Sequence, residues 1–216
     1  MAATHTLSEA DSAQLVARHG VPTAESRRVR TPDDAVVASG EVGYPVVVKL
    51  NSPHLAHKTE RDLVRLGLAD AGAVHAAAVA LLDAAQPDDG DVDLLVAHMV
   101  SGARELVAGL HTDPQFGRCV MVGVGGVLTV ALGDVVFRLA PLDATDAAEM
   151  LDELRCQELL GPVRGEPAVD RAALVDVLLA LSRLADAEPN VVSVDINPLV
   201  VEDGAPIAVD ALVETT

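Results

Sequence analysis

The chain has 216 residues, about half of them apolar, enough to bury a substantial core as one domain or two intimate subdomains, which excludes a disordered chain. A formal net charge of −18 repels nucleic-acid backbones and anionic lipid surfaces. With one Tyr, two Phe and no Trp there is also no stacking platform for bases, so nucleic-acid and membrane binding are excluded, whereas a single nucleotide held by local lysines, backbone N–H groups and a divalent cation is not.

In chain order, Ser8 with Asp11 resembles a capping box opening a helix that closes at Gly20, with Pro22 beyond it as a stop. Thr31-Pro32-Asp33-Asp34 offers a second start, with an N-cap, a proline in the first helical position and two carboxylates against the dipole, and Gly40 at the end. Gly43-Tyr44-Pro45 leads into Val46-Val47-Val48-Lys49-Leu50, a β-branched run too short for a helix and typical of a buried strand. A polar loop over 51–61, a strand over 63–68, an Ala-rich helix over 71–86 ended by Pro87, and an acidic turn over 88–91 follow. From 93 to 139, short apolar runs are separated by Ser101-Gly102, Asp113-Pro114, Gly125-Gly126 and Gly133-Asp134, the punctuation of an antiparallel meander. Helical patterns return over 146–154 and 171–186, and the chain closes with a hairpin of 191–201 and 206–213 turning at Asp203-Gly204. Helices and strands mixed in this order define the α+β class.

Cys119 and Cys156 lie in apolar or amphipathic stretches without ligand spacing, so they read as reduced core residues and not as a zinc site or a disulfide pair. No basic segment leads into an apolar run at the N-terminus, and no apolar stretch reaches bilayer-crossing length, so the expected location is cytoplasmic.

The terminal hairpin carries an argument from spacing alone. Asp-Gly between two strands favours a two-residue type I′ turn, which sets Glu202 opposite Ala205 and Asn197 opposite Asp210. Asp195 shares their side of the sheet, because strand side chains alternate. Hard oxygen ligands grouped in this way suit Mg²⁺, although an acidic, solvated face is the plain alternative and a bulge at Pro198 would break the register. Lys49, among valines in a buried strand, needs an anionic partner such as phosphate or an escape to solvent. In the following loop, His54, His57 and Lys58 cluster near Ser52 and Thr59, placing a nucleophilic imidazole beside a cation and hydroxyls. Gly123, Gly125 and Gly126 are not followed by a helix, so a sharp β-turn suits them better than a phosphate cradle.

Taken together, Gly43-Tyr44-Pro45-Val46-Val47-Val48-Lys49, Ser52-Pro53, His57-Lys58-Thr59-Glu60, Asp113-Pro114-Gln115-Phe116-Gly117, Gly125-Gly126, Arg138-Leu139-Ala140-Pro141-Leu142 and Asp195-Ile196-Asn197-Pro198-Leu199 resemble the ATP-grasp subunit of ADP-forming acetyl-CoA synthetases. Succinyl-CoA synthetase β subunits share a fainter version. The motifs run in order over nearly the whole chain. The resemblance implies a single ATP-grasp domain over 1–216, with an N-terminal helix over 1–21, a lid-like subdomain over 22–92, a core over 93–216 and a nucleotide cleft between the two α+β subdomains. It further implies Lys49 on ATP or ADP phosphates, Asn197 and Asp210 on Mg²⁺ with Asp195 beside them, and His57 as the phosphoryl carrier. Glu105 takes the place of an acidic residue in the nucleotide cleft. Val96, Ala97, His98 and Met99 correspond to a hinge that meets adenine through backbone groups.

Three departures stand out. The family's Val-Gly-Gly-Val after the His-Lys motif is Arg61-Asp62-Leu63-Val64, a family Glu after the Gly-Gly pair is Val130, and the hinge Gln-Pro is Ala97-His98. Glycine lets a backbone approach phosphate closely, so Asp62 and Leu63 are expected to obstruct or recast that loop, with Asp62 adding an unfavourable charge. Two readings stay open: a phosphoryl-exchanging subunit of an acid–thiol ligase, and a module that binds nucleotide or a partner without turnover. The first requires a CoA-binding, α-type catalytic subunit or domain as partner, through which the small-molecule acid and CoA arrive.

Overall fold

The computed structural model describes residues 4–55, 58, 61–126, 133–163 and 165–216. The chain forms two compact units, one of Met1–Thr6, Ser12–Thr23 and Val100–Thr216, the other of Leu7–Asp11 and Ala24–Met99. His57 and Val130 lie outside the described residues.

The smaller unit is a four-stranded antiparallel sheet in the order β2-β5-β3-β4, formed by β2 (Ser26–Val29), β3 (Val46–Asn51), β4 (Val64–Leu68) and β5 (Asp93–His98), with helices α2 (Pro32–Val42) and α3 (Ala71–Asp83) packed on it. Thr31 caps α2 by accepting the Asp34 N–H at 3.1 Å. The helix runs through Gly40 and stops at Gly43, whose φ of 91° an L side chain rarely adopts. Similarly α3 ends at Asp83 and not at 86: Pro87 holds Gln86 extended, and the Asp89 carboxylate accepts the Gln86 N–H at 2.8 Å in a separate 3-10 turn, Pro87–Asp89. The core is wholly aliphatic, built from Val46, Val48 and Leu50 of β3, Leu94 and Val96 of β5, and Val74, Ala78 and Leu81 of α3.

One expectation fails here. Residues 93–98 do not begin the meander; β5 pairs with β2 on one side and β3 on the other. Leu94, Leu95, Val96 and Ala97 are all buried, and a strand apolar on both faces belongs in the middle of a covered sheet.

The larger unit is a seven-stranded sheet in the order β1-β11-β9-β6-β7-β8, with β10 also paired to β9. Its strands are β1 (His5–Thr6), the meander β6 (Arg104–Asp113), β7 (Gly117–Val124) and β8 (Val135–Leu139), then β9 (Val191–Glu202), β10 (Ala205–Ala208) and β11 (Ala211–Thr215). Helix α4 (Ala144–Asp152) packs against α5 (Arg171–Ala187), and α5 lies on β6 and β7. Leu174, Val177, Leu178, Leu181 and Leu184 of α5 are fully buried, the spacing of one helical stripe, and Ala108, Leu110, Val120 and Val122 of the strands it lies on are buried as well. Helix α1 (Glu9–Arg18) opens in the smaller unit and continues in the larger, and it ends where Gly20 takes a φ of 100°. The two cysteines are free thiols, half-buried instead of in the core, and burial raises the Cys119 thiol above its ordinary value.

Candidate functional site

In the smaller unit, Lys49 is buried on β3, and its anionic partner is a carboxylate of the chain. Its ammonium donates to Glu9 Oε1 at 2.5 Å, and Lys58 donates to Glu9 Oε2. The Glu9 side chain is 3% exposed and those of the two lysines about 9% and 10%. Burial pushes the Glu9 carboxyl up, but the two ammonium groups outweigh it and hold the carboxyl below its usual range. Glu9 is an acidic residue of the first turn of α1. The demand for an anion to match a lysine in a buried strand was legible in the sequence; that Glu9 meets it was not.

Two residues that depart from the family's glycines, Asp62 and Leu63, can be placed at the end of the loop after Lys49. Leu63, where the resemblance expects glycine, is 1% exposed and packs into the aliphatic core; its N–H donates to Lys58 O at 2.9 Å and its carbonyl accepts from Leu50 N at 3.0 Å. Asp62 takes a φ of 55°, the left-handed region that Asp tolerates better than most residues, and its side chain stands in solvent beside Arg65. The charge expected to oppose phosphate is therefore directed to solvent and paired. Arg61 binds Asp89 with two hydrogen bonds, and Ser52 at the loop's other end donates to Asp89 O at 2.6 Å.

Val96 and Ala97 lie in the middle of the sheet, paired on both sides. The His98 N–H donates to Glu25 O at 2.8 Å and the Met99 N–H to Pro45 O at 3.1 Å, so these two donors are already committed.

In the larger unit, Asp203 and Gly204 have φ of 50° and 90°, as a type I′ turn requires. The register is the one that this turn predicts. Glu202 pairs with Ala205, Leu199 with Ala208, Ile196 with Ala211 and Asp195 with Leu212. Between these ladders the Asn197 N–H donates to Asp210 O at 3.3 Å and the Val209 N–H to Pro198 O at 3.2 Å. Ile196 and Ala211 are buried toward the core, which turns Asp195, Asn197 and Asp210 to the opposite face. The irregularity anticipated at Pro198 exists, but it falls on the other side of β9, where the pairing with β6 shifts between Leu106 and Ala108.

The exposed Asp195 side chain has no ionic or hydrogen-bonding partner among the described residues, and partial burial raises its carboxyl above the usual range. No three His, Cys, Asp or Glu side chains are grouped to hold a metal among the described residues. The face therefore offers two carboxylates and an amide, an oxygen set that suits Mg²⁺ completed by phosphate and water.

Glu105 is exposed at the start of β6, and its carbonyl accepts from Gly125 N at 2.8 Å. A Cβ on Gly126, which has a φ of 66°, would collide with Glu105 Oε2, and one on Gly125 with the Leu106 carbonyl. Gly125 is thus required by the close approach of the β6 backbone and Gly126 by its positive φ, since the exposed Glu105 carboxylate can swing aside, roles that a turn alone does not describe.

Residues 1–215 match the ATP-grasp domain family. The β subunit of ADP-forming acetate–CoA ligase I from Pyrococcus furiosus is 35% identical over 208 residues, covering 95% of this chain and 90% of its own. Acetyl-coenzyme A synthetase 1 of Ca. Korarchaeum cryptofilum, solved with coenzyme A, Ca-AMPCP and HgCl+, matches with a TM-score of 0.92 at 31% identity, over 98% of this chain and 94% of the solved one. The same synthetase with coenzyme A and Mg-AMPPCP, its phosphohistidine segment pointing towards the nucleotide binding site, matches with 0.83 at 32% identity, over 96% and 92%. The chain therefore belongs to the ATP-grasp domain family, in its branch of ADP-forming acyl-CoA synthetases. The ligases of that branch join an acid to a thiol.

Proposed function

We propose that this chain performs the nucleotide half of an ADP-forming acid–thiol ligation. Mg-ATP is bound with its phosphates on Lys49 and Lys58, its metal on Asn197 and Asp210 with Asp195 beside them, and its nucleoside near Glu105 and the segment 96–99. The γ-phosphoryl group passes to a neutral ring nitrogen of His57: a P–N bond forms as the bond to the ADP oxygen breaks, and the reverse transfer makes ATP. Mg²⁺, when bound, neutralises phosphate charge. Lys49 and Lys58 offset the charge on the phosphates and orient them. CoA and the acid reach the phosphoryl group on a CoA-binding, α-type subunit or domain.

The observation that carries this reading is the pair of lysines buried at the root of the loop that bears His57, in a chain whose net charge is −18. The burial of Leu63 and the outward turn of Asp62 favour this reading over the alternative of a module without turnover.

The test is incubation with γ-labelled ATP and Mg²⁺, with and without a candidate partner, followed by assay for acid-labile phosphohistidine. Label on His57 is expected, and His57→Ala should abolish it while nucleotide binding persists. Label on another residue, or none even with the partner present, rejects phosphoryl transfer through His57.

A further inference from the structure

We propose that Glu9 is a positioning residue for the nucleotide phosphates: its single carboxylate holds Lys49 and Lys58 side by side as a paired cation. This rests on the reading above, in which the two lysines meet phosphate. Each carboxylate oxygen serves a different ammonium group, and all three side chains are at least nine-tenths buried. Two buried ammonium groups repel one another and favour loss of a proton or withdrawal to solvent. One carboxylate between them offsets both tendencies.

Glu9 is itself held in place. It sits in the first turn of α1, where the helix dipole favours a carboxylate. Ser8 caps that turn by accepting the Asp11 N–H at 3.2 Å and donating to the Asp11 carboxylate at 2.6 Å. The Ala10 N–H donates to Asn51 Oδ1 at 3.1 Å, and Asn51 donates to the buried Asp93 at 2.7 Å. Asn51 lies two residues beyond Lys49 on β3, so the carboxylate and one of its lysines share a frame.

The test turns on the sign of an effect. If the site works by charge alone, Glu9→Gln raises its net positive charge by one and tightens Mg-ATP. Positioning predicts the reverse. Titration calorimetry on the full chain should show Mg-ATP weakened about tenfold in Glu9→Gln, the loss of roughly one charge-assisted contact. AMP, which lacks the β- and γ-phosphates, should bind as to wild type. Glu9→Asp keeps the charge but is too short to span both lysines, so it should show the same selective loss and serves if Glu9→Gln does not fold. Unchanged or tighter Mg-ATP binding in either folded variant overturns the proposal, as does an equal loss of AMP and ATP. A wild-type protein that binds no Mg-ATP overturns the nucleotide reading itself and this assignment with it.

Discussion

Arg61 holds Asp89 through both terminal guanidinium nitrogens, Nη1 to Oδ1 at 2.6 Å and Nη2 to Oδ2 at 3.0 Å. The pair ties the loop after Lys49 to the turn that follows α3. Hydrogen bonds from Arg61, opposed by burial and aided by the Gln86 N–H, hold the Asp89 carboxyl below its usual range.

A pH dependence follows from that direction. A carboxyl whose folded value is depressed contributes stability above its unfolded value and loses it as pH falls through the folded one. Arg61→Ala should therefore lower the melting temperature at neutral pH, and the difference from wild type should shrink as the solution is acidified through the carboxylate range. Melts of both proteins across that range check it; a difference independent of pH would mean that the pair acts through packing alone.

Restoring glycine in the loop separates its two replaced positions. Leu63→Gly removes a fully buried side chain and should cost about 3–5 kcal/mol. Asp62→Gly sits at a φ of 55°, which glycine adopts without strain, and gives up only a mostly exposed ion pair, so it should be neutral to stabilising by up to about 1 kcal/mol. Urea denaturation of the single variants reads both.

Asn197→Ala and Asp210→Ala should each weaken Mg-nucleotide binding, and the double variant should lose less than the sum, because both are proposed to serve one ion. Removal of the divalent cation should bring wild type and the variants to the same weak affinity. Fully additive losses measured by calorimetry would mean that the two side chains act separately despite their shared register.

Gly126→Ala meets both a positive φ and the Glu105 carboxylate. The cost should be about 1–3 kcal/mol in the wild-type background and smaller in Glu105→Ala, where the collision is gone and only backbone strain persists. Equal costs in the two backgrounds, measured by chemical denaturation, would show that Glu105 does not press on the glycine.

The α+β class, the capped starts of α1 and α2 and the hairpin register were determined by the sequence itself, because each depends on groups a few residues apart. Thr31 reaches Asp34, and Asp203-Gly204 selects a turn whose geometry carries Asn197 to Asp210. The nearest neighbours of a residue also suffice to mark Lys49 as anomalous, since a charge among valines needs a partner. Only the tertiary structure decided which partner that is, because Glu9 lies 40 residues away and meets Lys49 through the docking of a helix end onto a strand. The same holds for β5, whose apolar run is compatible with either sheet until pairing with β2 and β3 chooses one. It holds too for Leu63, which reads as an obstruction in a glycine loop and is instead core: the direction of a loop side chain is set by which cavity the surrounding strands and helices leave for it, and no local rule carries that information.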